Sequence, residues 1–244
     1  MKTRNPFRPG FTLTELLVVI LIIAVLAVIG FTATRSAMRS AAVVTCSNNL
    51  RQIGSGFAQH QADFSRYPSS KDGSWDVALL PYLGYSGDRK AAAYTLLARN
   101  EWSDIEKIAE LFKCPADTKK DYPDLFPRSY SCVPWTTNLT NGTWFRGWKG
   151  RPYNTGVPIH LVDDPARAAV VVEWHIGSVG VPNALGSGAY AYADQGGKSP
   201  DADLHSNRQV VLFADGHTEV LPILSGGEFI KKYWPRSSSI GNAN

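Results

Sequence analysis

Cysteine is scarce. Three in 244 residues are too few to build a fold from disulfides, and none sits in a C-x-x-C pair, which excludes a zinc ribbon. Acidic residues are missing altogether from the first ten positions, where Lys2, Arg4 and Arg8 account for three of the four net positive charges. The remainder is almost balanced, with 22 bases against 21 acids, and so lacks the electrostatic footprint of a nucleic-acid-binding protein. Catalytic signatures are lacking too. There is no H-E-x-x-H, no G-x-S-x-G and no kinase set. Gly196-Gly197-Lys198-Ser199 resembles a phosphate loop only locally, because Tyr192 stands where that motif needs its first glycine; it reads as a surface loop. No internal repeat is visible, and no enzyme is expected.

What is present begins with a long hydrophobic run. Leu16 to Phe31 are sixteen residues without a polar side chain. Started at Phe11, a helix through this run is about 32 Å long, enough to cross a bilayer. The basic cluster before it outnumbers Arg35 and Arg39 after it, which leaves the N-terminus cytoplasmic and everything from about Thr32 outside. Val43, Cys46, Leu50, Ile53, Phe57, His60 and Phe64 then recur at alternating steps of three and four, one stripe of a continuing amphipathic helix. Gly54 and Gly56 oppose that helix by about 1 kcal/mol each, so a bend or fraying is expected there. The pattern ends by Tyr67-Pro68.

Further on, Ser74 to Leu80 reads as a short capped helix broken at Pro81, and Lys90 to Phe112 as helical in two pieces, the second capped by Ser103. Beyond Cys114 the composition turns to Gly, Pro, Asn, Thr and aromatics. Ala168–Trp174 and Gln209–Ala214 are the clearest strands. The fold class is α+β, a long N-terminal helix packed on a mainly antiparallel sheet. At this length and with 44% apolar residues, a sizeable core can be buried.

A cleaved secretory signal is the rival reading of the N-terminus, since Ala33 and Ala37 supply small residues after the apolar run. Glu15 argues against it, because a carboxylate at the edge of that run is costly to insert and needs a partner. Arg8-Pro9-Gly10-Phe11-Thr12-Leu13-Thr14-Glu15-Leu16-Leu17-Val18-Val19-Ile20 resembles the N-terminal segment of type IV pilins and type II secretion pseudopilins. The resemblance implies cleavage by a membrane aspartyl peptidase between Gly10 and Phe11, and methylation of the new Phe11 amine. It also implies that Glu15 meets the N-terminal amine of a neighbouring subunit during assembly. The organisation that follows is a leader over 1–10, a transmembrane assembly helix over 11–33, its amphipathic continuation over 34–67 and an exported globular domain over 68–244.

A second resemblance spreads along the rest. Thr45-Cys46-Ser47-Asn48-Asn49-Leu50-Arg51-Gln52-Ile53-Gly54, Leu80-Pro81-Tyr82-Leu83 and Phe112-Lys113-Cys114-Pro115-Ala116-Asp117 are similar to a pilin-like family with an H-X9-DG signature. Here that signature is His205, nine residues, then Asp215-Gly216. Arg128-Ser129-Tyr130 and Val172-Glu173 stand where that family has a serine-tyrosine strand and a glutamate-ended strand. The signature reads as scaffold. A two-residue type I′ turn at Asp215-Gly216 pairs Phe213 with Thr218 and Val211 with Val220, with Val211, Phe213 and Val220 on the core face. His205 is expected at the far end of the strand, fixing a loop and sharing neither proton nor metal with Asp215.

Several smaller sites have two readings each. Cys114 and Cys132 could form a disulfide worth about 3 kcal/mol in an oxidising compartment, or remain two buried thiols. Cys46 reads as a small core residue. Asp194, Asp201 and Asp203 are candidate calcium ligands, or simply solvated loop acids; no other cofactor or metal is expected. Trp135, Trp144, Phe145 and Trp148 either pin a long loop or grip a partner. The functional expectation is a structural filament subunit, major or minor, in the inner membrane. Its partners are copies of itself or other pilins, the prepilin peptidase, the assembly platform and lipid. The alternative is a pilin-anchored surface binding protein using the aromatic loop.

Overall fold

The computed structural model describes residues 12–68, 72–87, 97–117, 123–133, 157–162, 164–174, 185, 205–224 and 226–233. The chain forms two compact units, Met1–Ala41 and Ala42–Asn244. Helix α1, Leu13–Phe64, has residues in both. In the first unit its stretch Leu13–Phe31 is long and apolar enough to cross a membrane, and none of it is buried in the protein. A helix that is hydrophobic on every side and covered by nothing is built for an apolar solvent.

In the second unit α1 carries the stripe expected of it. Cys46, Leu50, Ile53, Phe57 and His60 are buried and Val43 packs beside them, whereas Phe64 is exposed, its ring against His60. The fraying expected at the glycines does not occur; the helix is unbroken to Phe64. Both glycines are sites of close approach instead. A Cβ at Gly54 would lie 3.0 Å from Leu212 Cδ1, and one at Gly56 would lie 3.2 Å from Leu83 Cδ2. Packing against them offsets the helix propensity they forfeit.

Among the described residues, four antiparallel strands form one sheet in the order β1 (Tyr130–Cys132), β2 (Ala169–Glu173), β3 (Arg208–Phe213), β4 (Thr218–Pro222). Ala169–Val172 and Val210–Phe213 are continuously apolar because the inner strands are covered on both faces. Successive side chains point to opposite sides, so Leu212 meets Gly54 of α1 while Phe213 meets Tyr233 of α4 (Gly226–Tyr233), ring centroids 5.8 Å apart.

The hairpin between β3 and β4 corrects the expected register by one residue. Leu212 pairs with Thr218, Val211 with Glu219 and Val210 with Val220. Phe213 N–H donates to His217 O, enclosing three residues, and Gly216 takes φ +90° while Asp215 keeps a negative φ. A type I′ turn needs both positive; one left-handed glycine after two ordinary turn residues gives the three-residue loop. The slip turns Val220 outward and brings Leu221 into the core.

The short elements also differ in detail. Helix α2 (Trp75–Leu79) is preceded by Ser74 as expected, yet the Ser74 hydroxyl donates to Asp76 and it is Asp76 that accepts the Val77 N–H. Pro81 does not end the segment there; Leu80–Leu83 tightens into a 3-10 turn closed by Gly84 at φ +99°. Residues 97–102 are not helical, because Ala98 bridges Leu125 and the Arg99 N–H donates to Asp124 O. Ser103 opens a 3-10 turn leading into α3 (Glu106–Ala109), whose N-cap position is Ile105; a further 3-10 turn, Glu110–Phe112, follows.

Candidate functional site

Among the described residues, two places concentrate chemistry. The first is the start of α1. Thr12 and Glu15 form a capping box: the Thr12 N–H and hydroxyl donate to Glu15 Oε2 at 2.9 and 2.7 Å, and the Glu15 N–H donates to Thr12 Oγ1 at 3.2 Å. Glu15 is the one charged residue of the Leu13–Phe31 stretch. In the single chain Thr12 satisfies its carboxylate. Gly10 and Phe11, the expected cleavage and methylation residues, lie outside the described residues.

The second place is buried in the other unit. Cys46 from α1, Cys114 just after the Glu110–Phe112 turn, Glu173 at the end of β2 and His205 just before β3 come together, with their ligand atoms all within 4.8 Å of one another. All four are at most 1% exposed. The Cys46 thiol donates to Cys114 Sγ at 2.8 Å, and Cys114 Sγ is 3.3 Å from His205 Nε2. The same Nε2 is 2.9 Å from Glu173 Oε1, while Glu173 Oε2 accepts the Val210 N–H at 2.7 Å. His205 Nδ1 is buried with no hydrogen-bond partner among the described residues.

Charge is shared tightly here. The hydrogen bond from Cys46 draws the Cys114 pKa down to about 6, against the effect of burial and with help from His205. The same contact and burial push Cys46 upward. Burial opposes a charge on His205, but its contacts with Cys114 and Glu173 prevail and raise it to about 10. The geometry is not that of a nucleophile, base and orienting acid in relay. A relay uses both ring nitrogens, whereas here cysteine and glutamate converge on one.

The other expectations divide cleanly. Cys114 does not bridge Cys132; its sulfur faces Cys46, and all three cysteines are free thiols. Cys132 lies in β1 opposite Val171, where burial raises its pKa well above the ordinary value. His205 is indeed at the other end of β3 from Asp215, and the imidazole that meets the Asp215 carboxylate is that of His217, exposed, at 2.6 Å. Asp194, Asp201, Asp203 and the aromatics Trp135, Trp144, Phe145 and Trp148 lie outside the described residues.

Reading residues singly missed the buried cluster. Cys46 looked like core packing and His205 like a loop anchor. The signal available was collective: the Thr45–Gly54, Phe112–Asp117, Val172–Glu173 and His205 pieces on which the second resemblance rests each deliver one member.

Comparison with known proteins agrees with both resemblances. Residues 8–31 match the prokaryotic N-terminal methylation motif. Residues 32–158 match the family described as protein of unknown function (DUF1559). No curated protein and no solved structure matches the chain. The N-terminal segment is that of a pilin-like substrate of the prepilin peptidase, with an apolar helix suited to membrane anchoring. With the second match covering more than half its length, the chain is a pilin-like member of the DUF1559 family carrying an N-terminal methylation segment.

Proposed function

We propose that this chain is a structural subunit of a type IV pilus-like or type II secretion pseudopilus-like filament, processed by the prepilin peptidase and not itself an enzyme. One observation carries the reading. A methylation motif over residues 8–31 contains the whole exposed apolar stretch Leu13–Phe31, whose one charge, Glu15, stands at its start. Polymerisation gives both features a use. Packing Leu13–Phe31 against its copies removes apolar surface from the surrounding phase, and the amine left at Phe11 by cleavage supplies the cation that a carboxylate in lipid requires. Glu15 then sets the register between neighbours, exchanging its contacts with Thr12 for an intermolecular one. The globular unit lies on the outer side of the inner membrane before assembly, in keeping with the basic residues ahead of the helix.

The experiment is Glu15→Ala in the native host, with filaments sheared from cells and probed for this chain. The variant is expected to fold and insert in the membrane while its share in the filament fraction falls steeply. Incorporation equal to that of the unaltered protein would remove Glu15 from the assembly contact.

A further inference from the structure

We propose that Cys46, Cys114, Glu173 and His205 form a structural site for a thiolate-seeking divalent metal ion, zinc being the natural occupant. Two sulfurs, one imidazole nitrogen and one carboxylate oxygen are a complete tetrahedral donor set for that ion. The four residues come from four separate segments, so no local spacing motif announces them. Folding alone brings their donor atoms within 4.8 Å of one another.

Without an ion the cluster is crowded around one imidazole nitrogen. Glu173 is a carboxylate 1% exposed whose partners among the described residues are the His205 ring and the Val210 N–H, with no lysine or arginine of those residues paired to it. His205 Nε2 faces Cys114 Sγ and Glu173 Oε1 together, although a single N–H serves one acceptor well. Both thiols turn inward to the same point. A dication there replaces these crowded contacts by four bonds and offsets the negative charge of the thiolates and carboxylate. Binding displaces protons from the sulfur and nitrogen donors to solvent. Glu173 Oε2 keeps the Val210 N–H, an outer contact of the kind that orients metal ligands.

The site is closed. All four ligands are buried and the set is full, which leaves no open position for water or substrate and assigns the ion to stability. It ties α1, the segment after the Glu110–Phe112 turn, β2 and the loop ahead of β3 into one knot. For a chain whose domain works outside the cytoplasm, coordination also keeps Cys46 and Cys114 from oxidising to a disulfide.

The test uses the full-length protein, purified in detergent without chelator, with metal content measured by plasma mass spectrometry and free thiols counted after denaturation. One zinc per chain and three titratable thiols are expected. Cys46→Ser and His205→Ala should lose the zinc, while Cys132→Ser, outside the cluster, keeps it. Replacement by cobalt(II) should give thiolate-to-metal charge-transfer absorption, which these two variants lack. Since a ligand variant could fail to fold, the unaltered protein decides by itself. A metal-free, folded chain that takes up neither zinc nor cobalt overturns the site, as does a Cys46–Cys114 disulfide that leaves one thiol free.

Discussion

Arg128 and Asp76 are the clearest case of a residue-scale commitment outside the cysteine cluster. Their side chains are fully buried, Nη1 lies 2.6 Å from Oδ2, and the guanidinium sits 5.3 Å from the centre of the Trp75 ring. Taking two such charges out of water is costly, and the pair persists because each satisfies the other while Ser74 and the Val77 N–H serve Asp76 Oδ1. Arg128→Met leaves a carboxylate behind in the core. It is expected to lower unfolding free energy by about 3–5 kcal/mol, read by urea denaturation of the detergent-solubilised chain. A change below 1 kcal/mol would mean that water reaches Asp76 once the arginine is gone. Neither partner was legible as such in the sequence: Arg128 stood in a resembling motif and Asp76 in a short helix, and only the fold opposes them.

At the scale of elements, what the sequence made plain is what depends on local periodicity. The stripe from Val43 to Phe64 predicts the buried face of α1 as far as His60, with Phe64 exposed, and the runs Ala168–Trp174 and Gln209–Ala214 predict β2 and β3 to within a residue at each end, because apolar spacing is a local property. What escaped depends on a neighbour. Gly54 and Gly56 look like helix breakers until Leu212 and Leu83 are seen to occupy the space a side chain would need. Gly56→Leu should therefore destabilise by about 1–3 kcal/mol through overpacking, despite its better helix propensity. Thermal unfolding monitored by near-ultraviolet circular dichroism checks this, and a stabilised variant contradicts the close packing. The hairpin register turned on one dihedral. Asp215-Gly216 fits two turns equally well by composition, and the single positive φ at Gly216 selects the longer loop. Gly216→Ala should cost about 1–2 kcal/mol for placing a Cβ in the left-handed region, although open space surrounds it. The same denaturation series reports it, and an unchanged midpoint would argue for a different turn.

At the scale of the whole molecule, two segments answer to different solvents. Leu13–Phe31 is apolar on all sides and is unburied within the chain, while residues from Cys46 onward build a core with polar groups paired inside it. The proposed function gives this division a use: anchoring and lateral association of the first segment, with the second presented beyond the membrane. Prepilin-type processing is the step on which this account rests, since it creates the amine that Glu15 is proposed to meet. The direct measurement is the mass and amino-terminal sequence of the protein isolated from its native membrane. The account predicts a chain beginning at Phe11 with one methyl group on its amine. A chain beginning near Thr34, cleaved as a secretory signal and freed from the apolar helix, would contradict it.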